Sequence, residues 1–366
     1  MIVAYVSGHG FGHATRVGEV LREVREQSPG IPLAVVTSGP EGLYREAIPS
    51  PFEFRAQECD VGLAQQGALL FDTRATAARW RRFARSYPAL VEAEAAFLRR
   101  IRAGLVLGDI PPLAFDAAAA AGVPGVGLAN FSWDWVYRHL ALQEPELGAA
   151  AAAAASAYGR AQLLLQLPFA GDLSVFPRRE PIPLVARRPR ADGEETRRRL
   201  GLGERPLVLL SFGGLGLPGF DLGVLGGLPG LQFLMEAEAG TFPGNVTALH
   251  PEAWRGLGLG YQDLVAAADV VVTKPGYGIV TDAIAARTRL VYTERGDFPE
   301  YPVLVAEMVR YLPCAHVSNA DLLAGRLGEA VRAVLEEPFP EPPALDGARV
   351  AARRLCALAR GPREGD

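Results

Sequence analysis

Two successive series of short apolar runs dominate this chain, and each run is followed by a turn and a helical pattern. Strands that alternate with helices of this length pair in parallel, with helices on both faces of the sheet. The sequence therefore predicts two α/β domains of the doubly wound, Rossmann-like type. The predicted strands are 2–6, 33–37, 52–56, 105–108 and 162–167 in the first series, and 207–211, 232–235, 246–249, 270–273 and 290–293 in the second.

The domain boundaries follow from length and composition. A chain of 366 residues exceeds what one hydrophobic core usually serves. We expect a first domain over 1–180 and a second over 190–346, joined by the proline- and arginine-rich segment 168–193, which we interpret as a linker about which the domains rotate. The amphipathic stretch 347–360 is expected to pack on the first domain. Ligands should bind in a cleft between the domains, where the strands end.

Composition excludes several classes of function. Hydrophobic residues make up 49% and charged residues 21% of the chain, and the net charge of −4 gives no electrostatic basis for nucleic-acid binding. No apolar run approaches the roughly 20 residues of a transmembrane helix, and the start lacks the features of a signal peptide, so we expect a cytoplasmic protein. The three cysteines lack the close spacing of a zinc site, and no metal is expected.

The loop after the first predicted strand has the sequence SGHGFGHATR. Its glycines allow a close approach of the backbone to a ligand, and the helix expected from about residue 14 offers free amides and a positive dipole end. The spacing fits neither the dinucleotide fingerprint nor a Walker loop. A purely structural turn is the alternative, but His13 favours a functional loop, since histidine exchanges protons near neutral pH. We place Gly10, Gly12 and His9 on the acceptor side.

Two glycine loops are predicted in the second domain. The first could hold a phosphate oxygen with its amides and comprises Ser211, Gly213 and Gly214. The second would present the amides of Gly276 and Gly278 to a diphosphate. Lys274, the only lysine in the chain, would add positive charge there.

Further candidates lie after other predicted strands. Asp282, one turn into the helix after the second glycine loop, would accept hydrogen bonds from a ribose, unless it is simply an acid favoured by the helix dipole. Arg295 would add charge to the diphosphate site and Glu300 would contact the sugar, with a solvated turn as the alternative. Trp133 and Asp134 would form an aromatic and acidic sugar platform, with core packing as the alternative.

These motifs resemble those of a known family. SGHGFGHATR, NFSWDW, SFGG and ADVVVTKPGYGIVTDAIA with RGDFPEYPVL are similar to the glycosyltransferase-like amino-terminal region of plant L-arabinokinases and, more distantly, to the lipid II-forming N-acetylglucosaminyltransferase and other GT-B glycosyltransferases. The resemblance covers nearly the whole chain and does not include the sugar-kinase half of those proteins. It implies a GT-B fold without a metal, in which His13 matches the loop histidine, Asp282 the ribose-binding acid and Glu300 the group that holds sugar hydroxyls.

We therefore expect transfer of a sugar from a nucleoside diphosphate sugar, a uridine one, to a small or lipid-linked acceptor. The donor sugar is a co-substrate, and no further cofactor is expected. His13 or Asp109 would be the general base that deprotonates the acceptor hydroxyl. Two different functions stay open on the same scaffold: an epimerase or hydrolase, and a nucleotide-sugar sensor without catalysis.

Overall fold

The structure of the protein is a computed structural model, and it describes residues 1–49, 51–67, 69–213, 217, 220–238 and 240–360. Gly214, one of the predicted phosphate-binding residues, lies outside the described residues. The described strands form two parallel sheets, one before residue 182 and one after residue 206, and a separate short hairpin. We refer to residues 1–181 as the first half and to residues 193–336 as the second half.

The first half contains a parallel sheet whose central strands are buried on both faces, as their continuous apolar sequences predict. Its strands and those of the hairpin are β1 (Ile2–Val6), β2 (Leu33–Thr37), β3 (Glu53–Ala56), β4 (Ala64–Gln66), β5 (Leu70–Asp72), β6 (Leu105–Asp109), β7 (Gly125–Ala129), β8 (Leu163–Gln166) and β9 (Arg179–Pro181). Among the described residues the sheet order is β3-β2-β1-β6-β7-β8-β9, with β4 and β5 paired antiparallel in the hairpin. The order reverses between β1 and β6, so the loops after these strands border the crevice where such sheets bind ligands.

Helices cover both faces of this sheet. They are α1 (Phe11–Gln27), α2 (Glu41–Ala47), α3 (Thr73–Arg100), α4 (Pro112–Ala121), α5 (Trp133–Leu140) and α6 (Leu147–Tyr158). Helix α1 begins three residues earlier than predicted, because Gly10 takes a positive φ of 82° and turns the chain sharply into the helix. The short strands β4, β5 and β9 were not predicted, since none has a sustained apolar run.

The second half repeats this architecture. Its helices are α7 (Gly193–Leu200), α8 (Pro251–Arg255), α9 (Tyr261–Ala267), α10 (Tyr277–Ala286), α11 (Glu300–Met308), α12 (Asn319–Leu323) and α13 (Gly328–Glu336), with a short 3₁₀ helix at Leu222–Gly227. Its strands are β10 (Leu207–Ser211), β11 (Gln232–Glu236), β12 (Val246–Leu249), β13 (Val270–Thr273), β14 (Arg289–Tyr292) and β15 (Cys314–His316). They pair in parallel in the order β12-β11-β10-β13-β14-β15, which reverses between β10 and β13. The predicted mixed α/β class with parallel sheets is confirmed.

The segment interpreted as a linker is partly built into the first half. Strand β9 lies at the edge of the first sheet, and Ile182, Leu184 and Val185 after it are buried. Proline and arginine made this segment look exposed, but its apolar residues pack into the core. The last helix, α14 (Gly347–Arg360), packs against α1 and β6 of the first half.

The two halves are in direct contact. One cluster of buried apolar side chains contains residues of α1 and α14 together with residues of α10 and α11. Phe298, from the loop before α11, packs edge-on against Phe131 of the first half, with ring centroids 5.7 Å apart, and against Phe71 of the hairpin, at 6.4 Å. The crevice of the first sheet therefore faces that of the second.

Candidate active site

The amino-terminal ends of α1 and α10 meet where the two crevices face each other. A Cβ atom added to Gly278 would come within 3.2 Å of the Gly12 Cα atom, so the two backbones are nearly in contact. The residues that precede the helices, Gly10 and Gly276, form no side-chain cap. The first N–H groups of a helix lack partners within it and carry the positive end of its dipole, so two helix ends of the kind that favours an anion converge here.

His13 lies in the first turn of α1 and pairs with Asp109 at the end of β6. Its Nδ1 atom is 3.0 Å from Asp109 Oδ1, and its side chain is only 6% exposed. The register of the sheet sets this pair, since Val6 lies opposite Asp109 and the Ser7 amide donates to the Asp109 carbonyl at 2.8 Å. Within the described residues the ring makes its hydrogen bonds through Nδ1 and none through Nε2.

Asp109 is fully buried and both of its oxygens are engaged. Arg16 Nε donates to Oδ2 at 2.6 Å, and Arg16 Nη2 donates to Oδ1. Burial by itself raises the pKa of Asp109, but the charges of Arg16 and His13 outweigh it and hold the pKa below its usual value. A carboxylate that is inaccessible and held ionised is a poor proton acceptor, so of the two predicted general bases the geometry favours His13.

A chain of buried hydrogen bonds runs from this pair into the second half. Arg16 Nη1 donates to Asn130 Oδ1 at 2.7 Å, and Asn130 Nδ2 donates to Glu300 Oε1 at 2.6 Å. Arg295 Nη1 donates to the other oxygen of Glu300 at 2.7 Å. Arg16 and Asn130 were not predicted as site residues, although Arg16 ends the motif HATR and Asn130 begins NFSWDW directly after β7.

Positive charge lines the second half of the crevice beside Gly276. Arg295 lies with its guanidinium carbon 4.3 Å from the Phe298 ring centroid and donates to the Pro275 carbonyl at 3.4 Å. Burial, followed by the nearby charge of Arg295, lowers the pKa of Lys274 to about 8. The structure thus brings the predicted Lys274 and Arg295 together at the start of α10.

Comparison with solved structures identifies the architecture. A glycotransferase of kitacinnamycin superposes with a TM-score of 0.60 at 18% identity, covering 98% of this chain and 96% of that one. A UDP-glucosyltransferase from Polygonum tinctorium gives a TM-score of 0.60 at 13% identity, covering 98% and 93%. This protein has the GT-B fold. The predicted fold and the resemblance to GT-B glycosyltransferases are confirmed.

A sequence relative supports the predicted resemblance to plant L-arabinokinases. The chain is 32% identical over 365 residues to L-arabinokinase from Arabidopsis thaliana. The match covers 98% of this chain but spans only 34% of that protein's length. No protein-family model matches the chain.

Two residues predicted on the acceptor side of the GT-B cleft, Trp133 and His9, pack against each other. Trp133 has no exposed surface, and its Nε1 donates to Asp60 Oδ2 at 2.8 Å while its ring stacks on Tyr137. The prediction that Trp133 is a sugar platform is therefore wrong, because the apolar face of α5 turns it into the core. His9 packs edge-on against Trp133, and its Nδ1 accepts from the Leu63 amide at 3.3 Å. Burial lowers the pKa of His9 well below its usual value, so its ring is neutral.

Other predicted residues are held by partners of their own. Asp134 is 1% exposed and pairs with Arg138. Asp282 is buried and accepts from the guanidinium of Arg187, so a ribose could use Asp282 only by sharing it with that arginine. Ser211 Oγ accepts from the Tyr261 hydroxyl at 2.6 Å, while Gly213 is exposed with a positive φ of 70°.

Across the residues that the structure describes, no group of three or more His, Cys, Asp or Glu side chains is arranged to hold a metal ion. No helix in the same residues is long and apolar enough to cross a membrane.

Proposed function

We propose that this chain is a glycosyltransferase that moves a sugar from a nucleoside diphosphate sugar, a UDP-sugar, to a hydroxyl group of an acceptor. The observation that carries the proposal is the meeting of α1 and α10 at Gly12 and Gly278. This contact brings His13, the proposed base, and the positively charged Lys274 and Arg295 to one crevice. The GT-B fold supports this assignment, and one structural neighbour is named as a UDP-glucosyltransferase.

The proposed reaction is a single displacement. The acceptor hydroxyl gives its proton to His13 Nε2 as its oxygen bonds to the anomeric carbon, and the bond from that carbon to the diphosphate oxygen breaks. The negative charge that develops on the leaving diphosphate is stabilised by Lys274, by Arg295 and by the free amides that begin α10 at Gly276. Protonated His13 then returns its proton to solvent.

Two carboxylates are proposed to hold the donor. Glu300 would accept hydrogen bonds from the hydroxyls of the transferred sugar, in exchange for its bond to Asn130. Asp282 would accept from the ribose while it keeps Arg187. Both are buried in the structure, so donor entry requires the two halves to separate around Gly12 and Gly278.

A thermal-shift screen of nucleoside diphosphates and their sugars tests the donor site. A ligand that binds the native state raises the Tm by mass action, and we expect UDP or a UDP-sugar to do so, with a smaller shift in Lys274→Met. Release of UDP that depends on an added acceptor and persists in EDTA would support metal-independent transfer. A folded protein whose Tm no nucleotide changes would contradict the proposal.

The match to a protein named L-arabinokinase supports a second candidate, phosphorylation of a sugar. Because this chain spans only a third of that protein's length, the kinase activity does not transfer with the match. Incubation with ATP and L-arabinose separates the two, since a kinase forms ADP and a sugar phosphate without any nucleotide sugar. Product analysis also separates transfer from the remaining possibilities, because an epimerase or hydrolase consumes a UDP-sugar without an acceptor and a sensor leaves it unchanged.

A further inference from the structure

Arg16 is a buried charged side chain that the proposed reaction does not use. It is 4% exposed and lies one turn after His13 on α1. Its three guanidinium nitrogens contact Asp109, Asn130 and His13. Burial of an arginine costs desolvation free energy. Hydrogen bonds from all three nitrogens offset part of this cost and hold the guanidinium in one position.

Arg16 and Asp109 compete for one atom of the His13 ring. His13 Nδ1 is 3.0 Å from Asp109 Oδ1 and 3.1 Å from Arg16 Nη2. A neutral imidazole nitrogen donates to a carboxylate or accepts from a guanidinium, but it cannot do both. If Nδ1 donates to Asp109, then Nε2 has a free lone pair and can accept a proton. If Nδ1 accepts from Arg16, then Nε2 carries the hydrogen and cannot act as a base.

The second half of the molecule holds Arg16 in place. The Tyr277 ring, at the start of α10, lies 5.2 Å from the guanidinium carbon, within the range of a cation–π contact. Asn130, which accepts from Arg16, is itself oriented by its bond to Glu300 at the start of α11. The position of Arg16 therefore depends on contact between the halves.

We propose that Arg16 is a positioning residue that sets the proton-accepting state of His13 and that links this state to contact between the two halves. The proposal rests on the proposed function in that His13 is the base. With Nη1 held by Asn130, Arg16 Nη2 lies closer to Asp109 Oδ1 than to His13 Nδ1 and donates to the carboxylate, so His13 Nδ1 donates to Asp109 and Nε2 is free. Loss of the contact with Glu300 and Tyr277 releases Arg16 toward Nδ1 and blocks Nε2. His13 would thus become a base only when the crevice is assembled.

Other charged groups near His13 belong to both halves of the molecule. Asp60 interacts electrostatically with His13, and the His9 ring of the preceding turn lies close enough to be affected by the charge of His13. From the second half, Glu300 acts on Arg16 through Asn130. Because Asp60 and His9 do not contact Arg16 in the described hydrogen-bond network, variants at Arg16 leave their direct effect on His13 unchanged.

Selective ¹⁵N labelling of histidine tests the proposal without substrate. The chain has only five histidines, and a His13→Gln spectrum assigns the His13 signals. Arg16→Met removes the competing donor, so we expect the ratio of the Nδ1–H to the Nε2–H form to rise about tenfold or more. Arg22→Gln is the matched control, because Arg22 lies on the same helix and pairs with Glu19, Glu23 and Glu26. An Arg16→Met ratio equal to that of the control overturns the proposal.

A second variant decides the outcome if Arg16→Met does not fold. Asn130→Ser removes the amide that holds Arg16 Nη1, so Arg16 is free to donate to His13 Nδ1 and the ratio should move in the opposite direction, toward Nε2–H. An unchanged ratio overturns the proposal. In turnover, the acidic limb of the pH–rate profile should move about one unit upward in Arg16→Met, and Arg16→Lys, which keeps the charge, should restore it. UDP binding tests the donor site separately, so a failed proposal about Arg16 is distinguishable from a failed transferase assignment.

Discussion

The two sides of the crevice differ in how their charged side chains are arranged. On the side of the first half, His13, Asp109 and Arg16 are buried and hold one another by short hydrogen bonds. On the side of the second half, Lys274 and Arg295 lie together beside the uncapped start of α10. Under the proposed reaction, the first arrangement would direct a proton and the second would hold the charge of an anion. A mutation on one side should therefore change turnover, and a mutation on the other should change donor affinity.

The largest expected effect is at His13, Asp109 and Arg16 in the first half, which we call the proton side of the crevice. His13→Gln removes the proposed base but not the groups that hold a diphosphate, so kcat should fall about 10² to 10⁴-fold. The Kd for UDP, measured by calorimetry, should stay within twofold. His250→Gln, at an exposed histidine in the second half, serves as the control. Equal losses in both variants, or a large loss of UDP affinity in His13→Gln, would contradict the division between the two sides.

The next largest effect is expected at Lys274 and Arg295 in the second half, which we call the anion side of the crevice. Lys274→Met removes a charge-assisted contact worth about 1.5–3 kcal/mol, so the Kd for UDP should rise roughly 10- to 100-fold. Lys274→Arg keeps the charge and should retain most of the affinity. A full loss in Lys274→Arg as well would show that the shape of the loop, rather than its charge, binds the nucleotide.

The lowered pKa of Lys274 predicts a pH dependence of UDP affinity that the residues of the proton side do not share. Its pKa is lowered to about 8, and a bound diphosphate favours the protonated form and raises that pKa. UDP affinity should therefore be full below pH 8 and should decline as the pH rises through 8. Lys274→Arg, which stays charged over this range, should bind UDP equally at pH 7 and pH 9. An identical decline in that variant would assign the pH dependence to another group.

Packing residues around the proton side should affect stability alone. Trp133→Phe removes the indole N–H that donates to buried Asp60 and leaves the carboxylate with Ser7, so loss of this donor should cost about 1–3 kcal/mol of the free energy of unfolding. Trp135→Phe, at a half-buried position on the same helix, is the control for loss of an indole. Urea unfolding measures both. Reduced acceptor affinity in Trp133→Phe at unchanged stability would restore the sugar-platform interpretation.

The difference between local and non-local requirements explains which features could be predicted from the sequence. Continuous apolar runs identified the central strands, and glycine after β1 and β13 identified the loops, because burial and tight turns are local requirements. The partners of charged residues are not local: Arg187 reaches Asp282 across 95 residues, and Arg16 reaches Asn130 across 114. Trp133 was misjudged because an aromatic residue near a carboxylate has the same pattern in a core as in a sugar site.

The smallest expected effect lies where the two sides touch. Gly12 and Gly278 both lie in helices, where alanine is favoured over glycine by about 0.5–1 kcal/mol. A Cβ at Gly12 would meet the Gly278 amide nitrogen at 3.7 Å, an ordinary contact, so Gly12→Ala should be neutral or slightly stabilising. A Cβ at Gly278 would lie 3.2 Å from Gly12 Cα, which the backbone must move to accommodate. Gly278→Ala should therefore lose about 1 kcal/mol relative to Gly12→Ala in urea unfolding.

This pair of alanine variants also tests whether the crevice must open for the donor. Because strain in Gly278→Ala is relieved when the halves separate, its UDP affinity should fall less than its stability, or even rise, while Gly12→Ala binds UDP like the wild type. If both variants unfold and bind alike, then the contact between α1 and α10 is looser in solution than the structure shows. The base and the cationic loop would then be brought together by the donor itself rather than by the packing of the two helices.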